Sequence, residues 1–311
     1  MEPVYHLPVM LDECLEYLDP KAGEVIVDAT LGGGGHSEQI ASRIGPEGRL
    51  IGIDQDPEAL AEAGRRLSGF SDRISYAHFR FDDIADALDD LGIDGVDGAL
   101  FDLGVSSHQL DTPSRGFSFK DPDAAIDMRM NTAHDGKTAA DLIADLSERE
   151  LTTLIRDYSD EKWAARIAKF IVERRQKEPI TTVGQLVEIV HAAIPAAARP
   201  PDIHAATRTF QALRIAVNEE LTVLGHALES TIDRLNKGGR LVVLSYHSLE
   251  DRIVKQFFAR LAGRLGGEGP YGTRPPALID LLTKKPIGPS PEEVARNPRA
   301  RSAKLRAVRK L

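Results

Sequence analysis

Short β-branched runs alternate with helical stretches over the first hundred residues, and that alternation limits the fold more than any other feature. Val25 to Asp28 is a buried-type strand that ends in an acid and glycines. "HSEQIASRI" follows, with Ile40, Ala41 and Ile44 at helical spacing. "GRLIGIDQD" is a second strand ending at Asp54, and "PEALAEAGRRL" opens with a proline suited to a first helical turn. "ISYAHFRF" alternates as a third strand ending at Phe81, "IADALDDLG" is helical, and "VDGALFDLG" is a fourth strand ending at Asp102. Apolar strands separated by helices must be covered on both faces, which means a parallel, doubly wound α/β sheet.

The alternation then stops. The segment from Ser106 to Lys137 is rich in Pro, Gly, Ser and Asp and reads as loop. From Thr138 to about Ala193 every segment is helical, and "PAAARPPDIHAATR" closes the region. "FQALRIAVNEELTVLGHALESTIDRL" reads as one long helical stretch, "NKGG" as a turn, "RLVVLSY" as a fifth strand and "SLEDRIVKQFFARL" as a helix. Gly263 to Pro276 reads as a mobile loop, and "LIDLLTKKPI" with "SAKLRAVRKL" as a closing antiparallel pair. The expected organisation is one α/β domain, residues 1–109 and 206–311, interrupted by an all-helical insert over 110–205.

With 311 residues and 42% hydrophobic content the chain can bury a large core. No apolar run approaches the ~18 residues of a membrane span. The first residues lack the basic and long apolar regions of a signal peptide. Cys14 is the single cysteine, which excludes an internal disulfide and a zinc knuckle. These features suit a soluble, cytoplasmic protein. The net charge of -9 argues against nucleic acid when taken alone, but it is uneven. Asp82 to Asp102 holds eight Asp and no Lys or Arg, while Val294 to Leu311 holds seven Lys or Arg and no acid.

Four consecutive glycines, Gly32 to Gly35, follow the first strand. Missing Cβ atoms let a ligand approach backbone N–H groups at a helix start, and an acid such as Asp54 commonly takes both ribose hydroxyls. A nucleoside cofactor is indicated, either NAD or S-adenosylmethionine. The dinucleotide pattern G-x-G-x-x-G fails, because its last place falls on Ser37 or Glu38. The acid-x-Gly-x-Gly-x-Gly pattern of methyltransferases fits from Asp28, with Thr30 in place of the first glycine. "LNKGGRLVVLS" resembles the turn and strand of class I methyltransferases. The balance favours the methyl donor.

The blocks "DATLGGGGHS", "DLGVSSHQLD", "RGFSF", "DMRM", "ATRTFQALRIAVNEEL", "SYHSLEDRIVK" and "NPRARSAKLR" occur in order across nearly the whole chain. They resemble the family of bacterial ribosomal RNA small subunit methyltransferase H. The resemblance implies a class I, Rossmann-like methyltransferase fold with a helical insert, which would serve substrate recognition. It implies methyl transfer from S-adenosylmethionine to the N4 amine of one cytidine in the decoding region of 16S rRNA, with the small ribosomal subunit or a late assembly intermediate as partner. It also implies roles: Gly34, Gly35 and His36 for the methionine part, Asp54 for the ribose, Phe81 beside the adenine, and Asp102 and Gln109 for the remaining cofactor contacts.

A cytosine amine is a poor nucleophile, so such an enzyme must align it, desolvate it and accept its N–H bonds. The candidate acceptors are the Asp102 carboxylate and the carbonyls of Leu103 and Gly104. Tyr246 is expected to stack on the base and His247 to take the leaving proton; the plainer alternative is that "SYHS" only shapes the cleft. His78 reads as structural, and His108 as a residue at the substrate mouth. No metal-binding spacing is present, so no protein-bound metal is expected. For RNA, the candidates are the insert helix carrying Lys162, Arg166, Lys169, Arg174, Arg175 and Lys177, and the tail with Arg301, Lys304 and Arg306. Arg115 and Phe117 are expected to touch the unstacked cytidine. A homodimer is compatible with the sequence. Three other readings stay open: a methyltransferase for another nucleic acid or a small amine, a nicotinamide oxidoreductase, and a catalytically inactive assembly factor that binds RNA.

Overall fold

The computed structural model describes residues 7–133, 135–199, 203–264 and 275–311. In chain order the helices are α1 (Leu11–Leu18), α2 (Gly35–Ile44), α3 (Pro57–Arg66), α4 (Ile84–Asp90), α5 (Ser107–Asp111), α6 (Ala139–Asp145), α7 (Glu148–Ser159), α8 (Ala164–Arg175), α9 (Val183–Ala193), α10 (Thr207–Val217), α11 (Glu220–Arg234), α12 (Ser248–Leu261) and α13 (Pro291–Arg296). The strands are β1 (Val25–Asp28), β2 (Arg49–Asp54), β3 (Ile74–His78), β4 (Val96–Asp102), β5 (Leu235–Ser245), β6 (Ile279–Leu281) and β7 (Lys304–Lys310). The chain forms two compact units, residues 1–104 with 221–311 and residues 105–220. These borders differ from the 109/110 and 205/206 expected from the sequence.

In the first unit the strands form one sheet in the order β3-β2-β1-β4-β5-β7-β6. β1 to β5 pair in parallel, and β7 runs antiparallel to both β5 and β6. Side chains alternate strictly between two buried faces. Val27, Ile51, Ile53, Ala99, Phe101 and Val243 join Ile84, Leu88, Leu224, Leu228 and Val254 on one side. Ile26, Leu50, Leu100, Val242 and Leu244 join Leu15, Leu18, Ile40 and Ile44 on the other. A strand with both faces covered has no polar positions to spare, which is why these segments read as unbroken apolar runs. Truncating a fully buried residue such as Leu100 to Ala would cost about 2–5 kcal/mol.

The second unit is helical, with its own core of Ile126, Ile143, Leu151, Ile155, Ile167, Ile171, Leu186, Val190 and Leu213. Capping boxes start α6, α7 and α9: Thr138 with Asp141, Ser147 with Glu150, and Thr182 with Gln185.

Four local expectations change. β3 ends at His78, and Phe81 begins a short 3-10 turn instead. The "NKGG" turn lies within β5 as an irregularity, where the register with β4 shifts. A short helix, α5, stands in the expected loop after Ser106. The long stretch after Phe210 divides into α10 and α11. The Asn218 side chain donates to the carbonyls of Arg214 and Met128 and accepts from the Met130 amide, and Glu219 takes a left-handed φ of 51°. Periodicity cannot signal a break made by one side chain. The loop expected from Gly263 to Pro276 falls mainly on 265–274, outside the described residues.

Candidate active site

β2, β1, β4 and β5 end side by side, and the strand order reverses between β1 and β4. A crevice at such a switch point is where open α/β sheets take ligands. Asp54, Asp28 and Asp102 are the last residues of β2, β1 and β4, and Tyr246 follows β5 directly.

Asp28 is the hub. It is 1% exposed, accepts from the Ser37 hydroxyl at 2.7 Å and from the Thr30 amide at 3.3 Å, and burial raises its pKa. Thr30 explains the departure from the usual glycine pattern. Its hydroxyl oxygen accepts from the Asp102 amide at 2.6 Å and so ties the loop after β1 to the end of β4. A glycine there could not make that bond.

The glycine run has two kinds of work. Gly32 sits at φ +50 with nothing nearer its missing Cβ than the Thr30 carbonyl at 3.9 Å, and its amide donates to Asp54 Oδ2 at 2.8 Å. Gly34 caps α2 at φ +78, and a Cβ there would stand 3.0 Å from Leu67. At Gly35 a Cβ would meet Pro8 at 3.3 Å. Part of the answer to why four side chains are missing is therefore the protein itself, which packs against the loop from behind.

Asp54 is half-buried. Oδ2 takes the Gly32 amide and Oδ1 the Asp56 amide at 2.9 Å, which leaves each oxygen a second lone pair. Two such acceptors on one planar carboxylate fit the adjacent hydroxyls of a ribose. Desolvation raises its pKa to about 6, against the two amide bonds that lower it. The acceptor pair and the open glycine turn thus fit a ribose-bearing cofactor.

Asp102 Oδ1 accepts from the Tyr246 hydroxyl at 2.5 Å, and Oδ2 stands 3.7 Å from His36 Nδ1. Burial, and then the Asp102 charge, push the Tyr246 pKa well up, so the phenol remains a donor. His36 is buried, its Nε2 lies 3.0 Å from the Val9 carbonyl, and burial lowers its pKa. His36 therefore sits beneath the loop and against Asp102. His247 caps α12: its Nδ1 accepts from the Glu250 amide at 3.4 Å, and Nε2 lies 3.2 Å from Glu250 Oε1. Buried Glu250 in turn accepts from the backbone amides of Tyr246 and His247. The pattern "HSLE" is a capping box with histidine in the usual Ser/Thr place, a signal that the sequence carries.

The other expected residues have the following surroundings. Phe81 packs edge-on against Phe101, with ring centroids 5.8 Å apart. Gln109 belongs to the second unit, where its side chain and that of Ser106 cap α5. Arg115 is 6% exposed and donates to the carbonyls of Arg129 and Met130, and Phe117 is 8% exposed in the helical core, so both are structural members of that unit. Arg306 is buried with its Nε 2.7 Å from Asp251, and Lys304 reaches the same carboxylate at 3.3 Å. Burial raises the Asp251 pKa, but the Arg306 bond and both positive charges outweigh it and hold the group low. The charge of these two tail residues is already committed. Arg301 is exposed, as are Lys162 and Arg166; Arg166 lies over the Phe170 ring. Lys169 and Arg174 pair with Glu173 and Glu178, and Arg175 donates to the Ile143 carbonyl. His78 is exposed and bonds the Gln55 carbonyl, in keeping with a structural role.

With β7 reversed between β5 and β6, and with its switch point furnished in this way, the first unit is a class I methyltransferase domain. The chain belongs to the MraW methylase family, whose model matches residues 3–311. Proteins named ribosomal RNA small subunit methyltransferase H are similar to it over their whole lengths. The one from Geobacter sulfurreducens is 52% identical, covering 98% of this chain and 99% of its own. The one from Pelobacter propionicus is 52% identical over 98% of each chain, and the one from Heliobacterium modesticaldum 49% over 99% of each. No described helix is long and apolar enough to cross a membrane.

Proposed function

We propose that this protein transfers a methyl group from S-adenosylmethionine to the exocyclic N4 amine of one cytidine in the decoding region of 16S rRNA, in the small subunit or a late assembly intermediate. Its full-length relatives are named for the small-subunit RNA, which supports that substrate class. The observation that carries the chemistry is the Asp102 carboxylate held by the Tyr246 hydroxyl at the switch point.

Bound S-adenosylmethionine supplies a methyl group on a sulfonium, which needs no further activation. The carboxylates of Asp28, Asp54 and Asp102 make this strand edge acidic, which suits a ligand carrying sulfonium and ammonium charge. Asp54 holds the ribose, and the Gly32–Gly35 turn admits the methionine part. Asp102 accepts an N4–H bond and turns the amine lone pair toward the methyl group. As the N–C bond forms, the methyl–sulfur bond breaks with its electron pair left on sulfur, S-adenosylhomocysteine is the leaving group, and Asp102 takes the N4 proton that must leave. Tyr246 acts through Asp102, not by stacking on the base. His247 is the weaker candidate for the proton, because Nδ1 is engaged in capping α12.

Methylation at carbon 5 of a pyrimidine would be a different reaction, since it needs a thiolate to add to the ring. Cys14, the single cysteine, is buried, and desolvation followed by the Asp102 charge raises its pKa well above normal. That favours attack by a nitrogen. The helical unit, with exposed Lys162 and Arg166, is the proposed recognition module. The test is methyl transfer from labelled S-adenosylmethionine to small subunits from a strain lacking the gene, with nucleoside analysis. N4-methylcytidine at one site is expected; transfer to another atom, or none, overturns the reading.

A further inference from the structure

The expected contacts to an unstacked base, Arg115 and Phe117, are buried, but an aromatic pair two residues further on reaches the surface. Within the helical unit, Phe119 packs edge-on against buried Phe210, with centroids 4.6 Å apart and planes at 75°. His204 lies over Phe119 at 4.4 Å and 28°, a stacked arrangement, and is itself exposed. The rings form a column that runs from the core outward: Phe210, half-buried Phe119, exposed His204. His191 stands 5.2 Å from His204 at a tilt.

The column is held rigid. The Ala206 amide donates to His204 Nδ1 at 3.3 Å, and the His204 carbonyl takes the Thr207 amide at the start of α10. Arg199 donates to the carbonyls of His191 and Ile194 at the end of α9, so its cation is fixed beside His191 by carbonyl oxygens. Arg208 lies in the first turn of α10, which begins three residues after His204, with Glu161 4.0 Å away. Desolvation, and then His191, lower the His204 pKa, which favours the neutral imidazole near pH 7. A core hydrophobe has no reason to end in an exposed polar ring, but a stacking platform does. Stacked rings beside fixed cations are the pattern by which proteins hold single-stranded RNA.

We propose that His204, backed by Phe119, is a stacking platform for an unpaired RNA base, with Arg199 and Arg208 facing the adjoining phosphates. This deepens the proposed function and rests on it, since it names the form of RNA that the helical unit holds. The base is unpaired because a paired base shows an edge, not a face.

The test compares the full-length wild type with His204→Ala and His204→Phe in methyl transfer to unmodified small subunits, and adds a photocrosslink from wild type to 4-thiouridine-bearing RNA. His204→Ala should raise KM for the subunit roughly tenfold while the affinity for S-adenosylhomocysteine stays within twofold, and His204→Phe should restore a near wild-type KM. The crosslink should map to His204 or Phe119. A wild-type KM in His204→Ala, or a crosslink that avoids this column, overturns the platform. If wild type methylates nothing in the subunit, the functional reading fails by itself, and the crosslink still decides the platform.

Discussion

Tyr246→Phe removes one oxygen and leaves the ring in place. In the wild type that oxygen donates to Asp102 Oδ1 at 2.5 Å. A hydrogen bond to a charged acceptor is worth about 1.5–3 kcal/mol. If the bond serves to aim the carboxylate at the amine, its loss is felt mainly in the transition state. At about 1.4 kcal/mol per factor of ten, kcat should fall roughly 10- to 100-fold. On this reading the phenol touches Asp102 and not the RNA, so KM for the subunit should hold. The assay is steady-state methyl transfer to unmodified subunits, with a thermal melt and an S-adenosylhomocysteine titration run beside it. A kcat within twofold of wild type, in a protein that melts normally, would refute the positioning role. An equal loss of cofactor affinity would refute it differently, by showing that Asp102 serves the cofactor and not the amine.

Three further outcomes follow from single contacts. Thr30→Val keeps the shape but leaves the Asp102 amide without its acceptor, which should cost about 1–3 kcal/mol in chemical denaturation and also lower kcat; unchanged stability would mean that the loop is not tied to β4 through this bond. Asp54 has a pKa raised to about 6, so its sign is opposite to that of an ordinary paired acid. Protonation relieves its burial: this group should make the cofactor-free protein more stable as pH falls from 7 through 6 toward the unfolded value, while cofactor affinity weakens over the same window. Asp54→Asn should abolish both trends, and a calorimetric pH series that shows neither in wild type counts against the assignment. Arg306→Gln breaks a buried pair, with Lys304 still at hand, and should cost roughly 3 kcal/mol or less of stability without changing RNA affinity; a selective loss of RNA binding would return Arg306 to the interface.

The parallel sheet was legible because each strand is buried on both faces, and Ile26 beside Val27 or Leu100 beside Phe101 leaves no ambiguity of period. β7 was legible for a similar reason, being buried from Leu305 to Val308, whereas β6 spans only Ile279–Leu281 with Asp280 exposed. The division of the stretch after Phe210 was not, because it depends on Asn218 meeting Met128 and Met130, nearly ninety residues earlier. The carboxylates at the strand ends could be named from spacing, but their partners could not. Tyr246 looked like a stacking ring because a sequence cannot show where a hydroxyl points. Arg115 and Phe117 looked like contacts because they lie in a polar segment, yet that segment folds back on its own core. The column at His204 was not legible, because its rings come from segments 85 residues apart in the chain.

The packing behind the glycine turn constrains how this chain can change. Leu67 fills the space that a side chain at position 34 would need, and Pro8 does the same at position 35. The turn is thus already shaped before any cofactor arrives, so binding has little loop entropy to overcome. The same packing closes a route to new specificity. A larger residue at 34 cannot simply reach toward a different cofactor; it must first displace Leu67, and its φ of +78 penalises any residue with a Cβ. Positions 34 and 67 should therefore behave as one unit, with a smaller residue at 67 relieving only the steric part of the damage at 34.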